Sequence, residues 1–505
     1  MATAHERLAG SLSVLKQLQQ GNRRVFKSSE FSRVHRDRLI KNGFLKEVIK
    51  GWVISSSPDT QPGDSTPWHA SFWEFCSRYC EDRFGSSWCL SPEQCLMLHA
   101  ANTVTPSQVV IQALTGSNHK VALPFESSIY DLKQMSMPGP AEVMTRDGLR
   151  LLTPSAAIVR VSESFMVRNP LETQLVLAGI ADVADMLRLL LDGGHSSVAG
   201  RIAGALRGAN RGKDADEMLK AMKAAGYDVR ETDPFAGRQL QTVTCATPPI
   251  AARIRALWES MRGSVLEIFP RPPGLPLDKM GYLRSVDEIY QSDAYNSLSI
   301  EGYHVSASLI ERVRLGSWNP DNHDTDRQSR DALAARGYWL AFQSVKTTIE
   351  AVIQGDNAGA LARAAHRDWY RELFQPCVAA GLIPASALAG YRNDAVYLRA
   401  SRYVPPRWEA VRDAMPVLFD LLEREPEPGV SAVLGHWLLG YIHPFPDGNG
   451  RIARFLMNTM LASGGYPWTV IDFDHRSEYL SALDSASVDS DIAPFAIFLR
   501  DRIRR

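Results

Sequence analysis

One glycine-rich stretch near the C-terminus constrains this chain more than any other part of it. It reads His443-Pro444-Phe445-Pro446-Asp447-Gly448-Asn449-Gly450-Arg451-Ile452-Ala453-Arg454. The Gly448-Asn449-Gly450 turn has little side-chain bulk, can adopt positive φ, and leads into an apolar stretch with helical spacing. A turn of this kind at a helix N-terminus brings unpaired N–H groups and the positive end of the helix dipole to one point. The stretch therefore predicts an anion-binding helix N-terminus.

Four side chains around this turn indicate the chemistry. His443 can accept a proton near neutral pH. Asp447 is a hard oxygen ligand of the kind that Mg²⁺ prefers. Arg451 and Arg454 are three residues apart, so they lie close together in the first helical turn, and two guanidinium forks over an anion nest favour a polyphosphate. The P-loop pattern G-x-x-x-x-G-K-[ST] is absent from the sequence, so these residues predict phosphate-transfer chemistry of another type.

The segment resembles the Fic family signature H-x-F-x-[D/E]-G-N-G-R-x-x-R and matches it at every fixed position. The resemblance covers residues 280–505 and implies an all-α domain with a β-hairpin flap, which transfers AMP from ATP to a protein hydroxyl. It implies that His443 is the catalytic base and that Asp447 holds Mg²⁺. It also implies a nucleotide-binding set made of Gly448, Asn449, Gly450, Arg451, Arg454 and, lining the adenine pocket from a later helix, Tyr479.

A second motif precedes the signature. Ser297 and Glu301 are four residues apart, so a helix places them on one face. With Gly302 they resemble the Fic inhibitory motif [S/T]-x-x-x-E-[G/N]. The resemblance implies that Glu301 pairs with Arg454 and occupies the guanidinium that would hold the γ-phosphate of ATP. We therefore expect an autoinhibited enzyme.

The residues between Gly390 and Pro406 alternate short β-formers with turn residues, which predicts a hairpin. They resemble the Fic flap, whose edge pairs with the backbone of a target protein by β-augmentation. The resemblance implies that four flap residues border the nucleotide: Val396, Tyr397, Leu398 and Arg399.

Residues 1–60 have the pattern of a winged helix-turn-helix: helical stretches followed by two apolar runs around Lys50-Gly51. Four basic residues lie on or beside the expected recognition helix: Arg33, Arg36, Arg38 and Lys41. Such residues can contact DNA phosphates, and binding would then be salt-dependent. A packing or protein-interaction module with a solvated basic face is the alternative. The pattern is similar to the N-terminal module of AbiEi-type antitoxins.

The remaining organisation predicts a multidomain, mainly α protein. Residues 65–240 alternate strand-like and helical stretches and are similar to the mixed α/β domain of AbiEi-like proteins, with Cys76 and Cys80 interpreted as buried thiols. Residues 241–279 form a proline-bracketed linker region with a helix at 250–268, and the catalytic domain occupies 280–505. Within that domain, helices are predicted at 332–354, 358–374 and 430–441.

Bulk properties exclude several classes of protein. The chain has 505 residues, a formal net charge of +0 and 6 Cys, so no global field directs it to nucleic acid and no disulfide scaffold is expected. It has neither a signal-peptide pattern nor an apolar run of about 18–20 residues. We expect a cytoplasmic protein without a membrane partner. The target protein, the signal that releases Glu301 and the oligomeric state stay open, and a homo-oligomer is one option.

Three functional interpretations compete. The first is an autoinhibited AMP transferase that acts on a Tyr, Thr or Ser hydroxyl of a target protein and on itself. The second is a Fic enzyme that uses another nucleotide or phosphodiester donor, such as UMP or phosphocholine transfer. The third is a DNA-binding or toxin–antitoxin-type regulator in which transfer is secondary.

Overall fold

The computed structural model describes residues 3–60, 64–235, 248–317, 330–399 and 401–503. These residues form two compact units. The first unit comprises residues 1–249 together with 397–404, and the second comprises 250–396 and 405–505. The unit boundary falls in the predicted linker region, of which residues 241–247 lie outside the described part of the chain.

The first unit begins with a small module around a three-stranded antiparallel sheet. Strand Trp52–Ser55 lies at its centre, between Val25–Lys27 and Leu45–Ile49. Helices Ala4–Leu18 and Arg33–Lys41 cover the sheet, and their apolar residues form a separate core with it: Leu15, Phe26, Phe31, Leu39, Leu45 and Val53. Between these helices lie strand Val25–Lys27, which was not predicted, and a single 3₁₀ turn, Ser28–Glu30.

The rest of the first unit is mixed α/β, as the sequence predicted. A four-stranded sheet has the order Trp88–Leu90, Gln108–Ala113, Ser128–Lys133, His119–Ala122, and its two middle strands are parallel. A hairpin, Val143–Arg146 with Leu149–Leu152, lies beside it. Cys76 and Cys80 are buried in its core, as predicted. The helices are Thr66–Phe84, Pro92–His99, Pro154–Arg160, Glu163–Arg168, Pro170–Gly179, Ala184–Gly193, Ser196–Gly208 and Gly212–Ala224.

Residues 397–404 belong to the first unit through three contacts. The Arg24 guanidinium lies 5.4 Å from the ring centroid of Tyr397. Arg399 Nε lies 3.4 Å from Asp64 Oδ2. The Thr105 N–H donates to the carbonyl of Arg402 at 2.8 Å.

The second unit consists of helices joined by turns and loops, and its described residues contain no strand. Its helices are Pro249–Ile268, Lys279–Ile300, Ala307–Arg314, Arg330–Gln354, Ala358–Ala379, Trp408–Arg424, Pro428–Ile442, Asn449–Ser463, Arg476–Val488 and Ala493–Ile503. The helices predicted at 250–268, 332–354, 358–374 and 430–441 are therefore confirmed. Pro428–Ile442 is buried along nearly its whole length, because apolar residues occupy every side of it. None of the described helices is long and apolar enough to cross a membrane.

The predicted hairpin flap is wrong for the described residues between Gly390 and Pro406, which contain no paired strand. The backbone there is tied down by the buried Arg392 side chain, which donates to the carbonyls of Asp394 and Pro406. Pro405 and Pro406 have no N–H with which to extend a ladder. The alternation of β-forming residues predicted strand pairing, but it could not indicate that the Arg392 side chain would form hydrogen bonds with the carbonyl groups of this segment.

Candidate active site

The loop between helices Pro428–Ile442 and Asn449–Ser463 carries the signature histidine. His443 adopts a left-handed conformation, with φ 51°, and Gly448 ends the loop with φ 79°. The Asn449 side chain locks the loop, since its Oδ1 accepts from the Phe445 N–H at 2.9 Å and its Nδ2 donates to the Phe445 carbonyl at 2.8 Å. Asn449 was predicted to bind the nucleotide, but its side chain is used within the loop, so only its backbone N–H is available to a ligand.

Arg392 supports the same loop from outside and was not predicted as a site residue. Its backbone N–H donates to the Pro444 carbonyl at 2.8 Å, and its Nε donates to the His443 carbonyl at 2.7 Å. The side chain is 2% exposed. Because the charge is buried and hydrogen-bonded to carbonyl groups, it holds the His443 backbone in position. Its place 51 residues before His443 gave no sequence signal for this contact.

The His443 imidazole is held in one tautomer. Its Nδ1 lies 3.2 Å from the carbonyl oxygen of Gly440, which can only accept, so Nδ1 carries the hydrogen and Nε2 is left as an acceptor. Burial lowers the pKa of His443 to about 4. The ring is therefore neutral at physiological pH, which is the state that a general base needs.

The N-terminus of helix Asn449–Ser463 lies next to this histidine. Its capping residue, Gly448, has no side chain, and no side chain caps the first turn. The N–H groups of Asn449, Gly450 and Arg451 begin the helix and point along its axis. Free N–H groups and the helix dipole together favour an anion here.

Arg454 joins this helix to helix Lys279–Ile300. Its Nε donates to Ser297 Oγ at 2.8 Å, and its Nη2 donates to the Ser297 carbonyl at 3.1 Å and to Glu301 Oε1 at 2.7 Å. The Arg454 side chain is 3% exposed and that of Glu301 is 27% exposed. Burial opposes the charge of Arg454, but the Glu301 carboxylate keeps its pKa above the usual range. The two motifs recognised in the sequence thus meet in one buried, charge-assisted cluster.

The Glu301 carboxylate also covers the helix N-terminus. A Cβ built on Gly450 would overlap Glu301 Oε1 and lie 3.2 Å from Arg454 Nη1. Burial raises the pKa of Glu301, but Arg454 and Arg451 outweigh burial and hold the pKa below its ordinary value. Glu301 therefore stays ionised and lies where an anionic ligand of the nest would bind.

Arg451 is buried beside the nest with unused hydrogen-bonding capacity. It is 1% exposed, and its guanidinium lies 5.3 Å from the Tyr303 ring and 5.0 Å from the Phe374 ring. Its Nη2 lies 3.3 Å from Asp447 Oδ2. That ion pair does not have hydrogen-bond geometry, so among the described residues Arg451 Nε and Nη2 and Arg454 Nη1 have no hydrogen-bond partner. Buried donors without partners are costly, so a ligand that accepts from them is strongly favoured.

Asp447 can hold a metal ion together with a phosphate ligand. Its side chain is 58% exposed, and its Oδ1 accepts from the Gly448 N–H at 2.6 Å. The described residues contain no cluster of three or more His, Cys, Asp or Glu side chains that could hold a metal without the nucleotide. Mg²⁺ is commonly held by one or two carboxylates plus substrate phosphates and water, and Asp447 fits that arrangement.

A buried acid lies one helical turn before Ser297. Asp293 is 3% exposed, and its Oδ2 accepts from the Tyr338 hydroxyl at 2.5 Å. Burial raises the pKa of Asp293 to about 6, against the hydrogen bond from Tyr338. Asp293, Ser297 and Glu301 are spaced by four residues, so they lie along one face of their helix. The same spacing could have drawn attention to Asp293 in the sequence.

Tyr479 is buried within the second unit. It is 2% exposed, and its hydroxyl lies 2.8 Å from Nε2 of the buried His436. Phe495 and Phe498 pack against its ring. The role of Tyr479 in lining an adenine pocket therefore stays a prediction, and in this structure its ring packs against the following helix, Ala493–Ile503.

Other predicted site residues lie in different surroundings. Tyr397, Leu398 and Arg399 belong to the first unit, and Val396 to the second, so their contact with a nucleotide stays a prediction. In the N-terminal module, Arg33 and Arg36 pair with Asp37 at 3.6 and 2.9 Å. Arg38 donates to Ser11 Oγ at 2.8 Å, and Lys41 is exposed.

The fold and the site together define a mainly helical protein with a histidine loop in front of a helix N-terminus that no side chain caps. Residues 360–461 match the model of the Fic/DOC family. The likeness to this family that the signature predicted is confirmed for this segment, which includes His443, the nest and both arginines.

Curated relatives share this region. The chain is 29% identical over 276 residues to Protein adenylyltransferase Fic of Nematostella vectensis, a match that covers 53% of this chain and 58% of the relative. It is 46% identical over 78 residues to Protein adenylyltransferase Fic of Aedes aegypti, which is 15% of each chain. The chain thus spans less than two thirds of the length of these relatives. Among solved structures, Fic-1 (residues 134–508) from C. elegans matches with 19% identity and a TM-score of 0.37, over 63% of this chain and 88% of that one.

Proposed function

We propose that this chain is an autoinhibited protein adenylyltransferase that moves AMP from ATP to a Tyr, Thr or Ser hydroxyl of a target protein and of itself. One observation carries the proposal. Three guanidinium nitrogens of the buried Arg451 and Arg454 have no hydrogen-bond partner among the described residues, and they surround a helix N-terminus beside His443. Unsatisfied buried donors aimed at an anion nest fit a polyphosphate substrate.

The phosphates of ATP would bind at the N–H groups of Asn449, Gly450 and Arg451. The two arginines would neutralise the outer phosphates, and their forks would fix the orientation of the chain of phosphates. Asp447 would hold the Mg²⁺ ion, which when bound would supply electrostatic stabilisation of the leaving group's charge. These groups supply positioning and electrostatic stabilisation, which account for most of the catalysis in phosphoryl-type transfer.

His443 would act as the general base. Its Nε2 takes the proton of the target hydroxyl while the hydroxyl oxygen forms a bond to the α-phosphorus. The bond from the α-phosphorus to the oxygen that bridges the α- and β-phosphates breaks, and pyrophosphate leaves with that electron pair. The 3.2 Å contact from His443 Nδ1 to the Gly440 carbonyl supports this role, because it keeps Nε2 in the acceptor state.

Glu301 would be the inhibitory residue. Its 2.7 Å contact with Arg454 uses a guanidinium that the outer phosphate needs. Its carboxylate also adds negative charge directly over Gly450. ATP can then bind only in a pose that spoils in-line attack, so release of Glu301 is the step that activates transfer.

The test is labelling with α-³²P-ATP and Mg²⁺ of three full-length proteins: wild type, Glu301→Gly, and Glu301→Gly/His443→Ala. We expect weak labelling of the wild type, strong self-labelling of the single variant and none of the double variant. Competition by unlabelled UTP, GTP and CDP-choline distinguishes AMP transfer from transfer of another group. Stronger competition by one of these compounds than by unlabelled ATP would reject ATP as the preferred donor.

The N-terminal unit would serve targeting or control. Its order of helix, strand, helix and two-stranded wing supports a winged-helix module. The segment between Gly390 and Pro406 would bind the target protein. DNA binding by Arg33, Arg36, Arg38 and Lys41 is the weaker proposal, since Asp37 pairs with two of these residues and offsets one of their charges. A cytoplasmic location and a homo-oligomer stay predictions from the sequence.

A further inference from the structure

The second unit contains a groove that lies outside the nest. It is bounded by helix Ala358–Ala379, residues 389–393 and helix Trp408–Arg424, and its volume is about 700 Å³. Three arginines line it: Arg363, Arg367 and Arg412. No carboxylate is among its lining residues, so the charge that faces the groove is positive.

Two of these arginines are available to a ligand. Arg363 already forms ion pairs with two carboxylates, Asp420 at 2.7 Å and Glu423 at 2.5 Å. Arg367 and Arg412 form no ion pair within the part of the chain that the structure describes. Arg367 lies 4.5 Å from the Tyr391 ring, and Arg412 donates to two neutral acceptors, Asn393 Oδ1 at 2.8 Å and the Trp408 carbonyl at 3.2 Å.

The floor of the groove is rigid. His366 is 4% exposed, its Nε2 lies 2.8 Å from the Tyr391 hydroxyl and its Nδ1 lies 2.8 Å from the Arg363 carbonyl. The His366 ring also packs 4.6 Å from the Phe419 ring. Both ring nitrogens of His366 have hydrogen-bond partners, so the surface between the arginines is already ordered before a ligand binds. This preorganisation reduces the entropy cost of binding.

We propose that this groove binds a small phosphate-bearing molecule of mononucleotide size, at a site separate from the nest. The volume falls within the range of about 300–1,000 Å³ that is usual for small-molecule sites. Arg367 and Arg412 supply two guanidinium groups without competing carboxylates, and guanidinium forks match phosphate oxygens. The apolar wall at Ala364, Pro416 and Phe419 accommodates the uncharged part of the ligand.

The groove is coupled to the histidine loop. Tyr391 and Asn393 flank Arg392, which donates to the carbonyls of His443 and Pro444. Tyr391 also lies 5.6 Å, centroid to centroid, from Phe445 in that loop. A ligand that fixes Tyr391 and Asn393 therefore restricts the motion of Arg392, which holds the His443 backbone. An effect of the ligand on catalysis rests on the proposed function, whereas binding of the ligand does not.

The experiment is isothermal titration calorimetry of the full chain with inorganic phosphate, pyrophosphate and AMP as separate probes. The variants are Arg367→Ser/Arg412→Ser for the groove and Arg451→Met for the nest. The matched control is Arg188→Ser/Arg284→Ser, which removes two exposed arginines, 69% and 70% exposed, and changes the net charge equally. We expect at least one probe to bind Arg451→Met and the control, and to bind the groove variant at least about tenfold more weakly.

Unchanged binding of all probes to the groove variant overturns the proposal, and so does loss of all binding in Arg451→Met. A second variant, Ala364→Trp, guards against misfolding, because Ala364 is exposed on its helix and the substitution fills the groove without altering charge. It should weaken the same probe by a similar factor. Normal affinity in a folded Ala364→Trp protein also overturns the proposal. Since binding is read directly, it can succeed even if no AMP transfer is ever detected.

Discussion

The carboxylate of Glu301 lies directly over the backbone of Gly450, so closely that a side chain at position 450 would overlap Oε1. Glu301 thereby occupies both the guanidinium of Arg454, at 2.7 Å, and the positive end of a helix. A substrate phosphate requires the same two partners. The protein's own acid and its proposed substrate are therefore mutually exclusive at this point.

Neutralising this acid should activate the enzyme. Glu301→Gln keeps the size of the side chain but removes the charge that competes with a phosphate. We expect self-labelling by α-³²P-ATP to rise roughly tenfold or more, equivalent to about 1.4 kcal/mol of barrier. The matched control is Glu311→Gln, which removes an exposed glutamate paired with Arg314 and should leave labelling unchanged. Equal labelling of the two variants would reject Glu301 as the inhibitory residue.

The pH profile of labelling should reflect a histidine that is already neutral. Burial lowers the pKa of His443 to about 4, so the base is deprotonated at every pH above that value and becomes protonated only as the pH falls through it. In Glu301→Gly, we expect the initial rate to show no loss attributable to His443 between pH 7 and pH 5.5. A rate that halves near pH 6.5, the ordinary value for histidine, contradicts this expectation. The exposed His475 offers a control, since His475→Ala should label normally.

Arg451 should lower the free energy of unfolding while being required for labelling. Two of its buried nitrogens have no hydrogen-bond partner among the described residues, so replacing it with an apolar side chain of similar length removes a desolvation penalty. We expect Arg451→Met to raise the free energy of unfolding by about 1 kcal/mol and to abolish labelling in the Glu301→Gly background. Urea denaturation of the isolated variant provides the measurement.

Arg454→Met is the matched comparison and should behave in the opposite way. It removes three hydrogen bonds to Ser297 and Glu301 and leaves the Glu301 carboxylate without its partner. We expect a loss of about 2 kcal/mol in the free energy of unfolding. A destabilised Arg451→Met protein would contradict a net desolvation penalty at Arg451. A stabilised Arg454→Met protein would contradict a net stabilising role for the Arg454 hydrogen bonds.

Asp293 should make stability depend on pH. Its pKa is raised from 3.8 to about 6 by burial, so the folded state favours the protonated acid. Its contribution is favourable at low pH and is lost as the pH rises from about 4 to about 6. Relative to wild type, Asp293→Asn should therefore gain free energy of unfolding over this interval and level off above it. Thermal denaturation from pH 4 to pH 8 measures this, and a constant difference would exclude titration of Asp293.

Tyr338→Phe tests the same pair from the other side. It removes the hydroxyl that donates to Asp293 at 2.5 Å and leaves a buried acceptor without that donor. We expect the free energy of unfolding to fall by about 1–3 kcal/mol. Because Asp293, Ser297 and Glu301 share one helix face, the variant should also raise basal self-labelling. Lower stability with unchanged labelling would limit the Asp293–Tyr338 pair to a structural role.

The sequence by itself determined the elements whose causes are local. The spacing of His443, Gly448, Gly450, Arg451 and Arg454 defined a loop that opens a helix, and the four-residue spacing of Ser297 and Glu301 defined a common helical face. Both follow from glycine conformation and the 3.6-residue helical period, which act over a few residues. The long apolar helices were predictable for the same reason.

Only the tertiary structure decided which distant groups meet. The Arg392 side chain binds the segment that was predicted as a hairpin, because it donates to carbonyls up to 51 residues away, and Tyr479 packs against a helix that follows it. The partners of Asp293 and the Arg367–Arg412 groove likewise come from separate helices. Such contacts form because buried charged groups need hydrogen-bond partners and buried rings need packing partners from distant parts of the chain. The local periodicity of the sequence does not indicate which partners these will be.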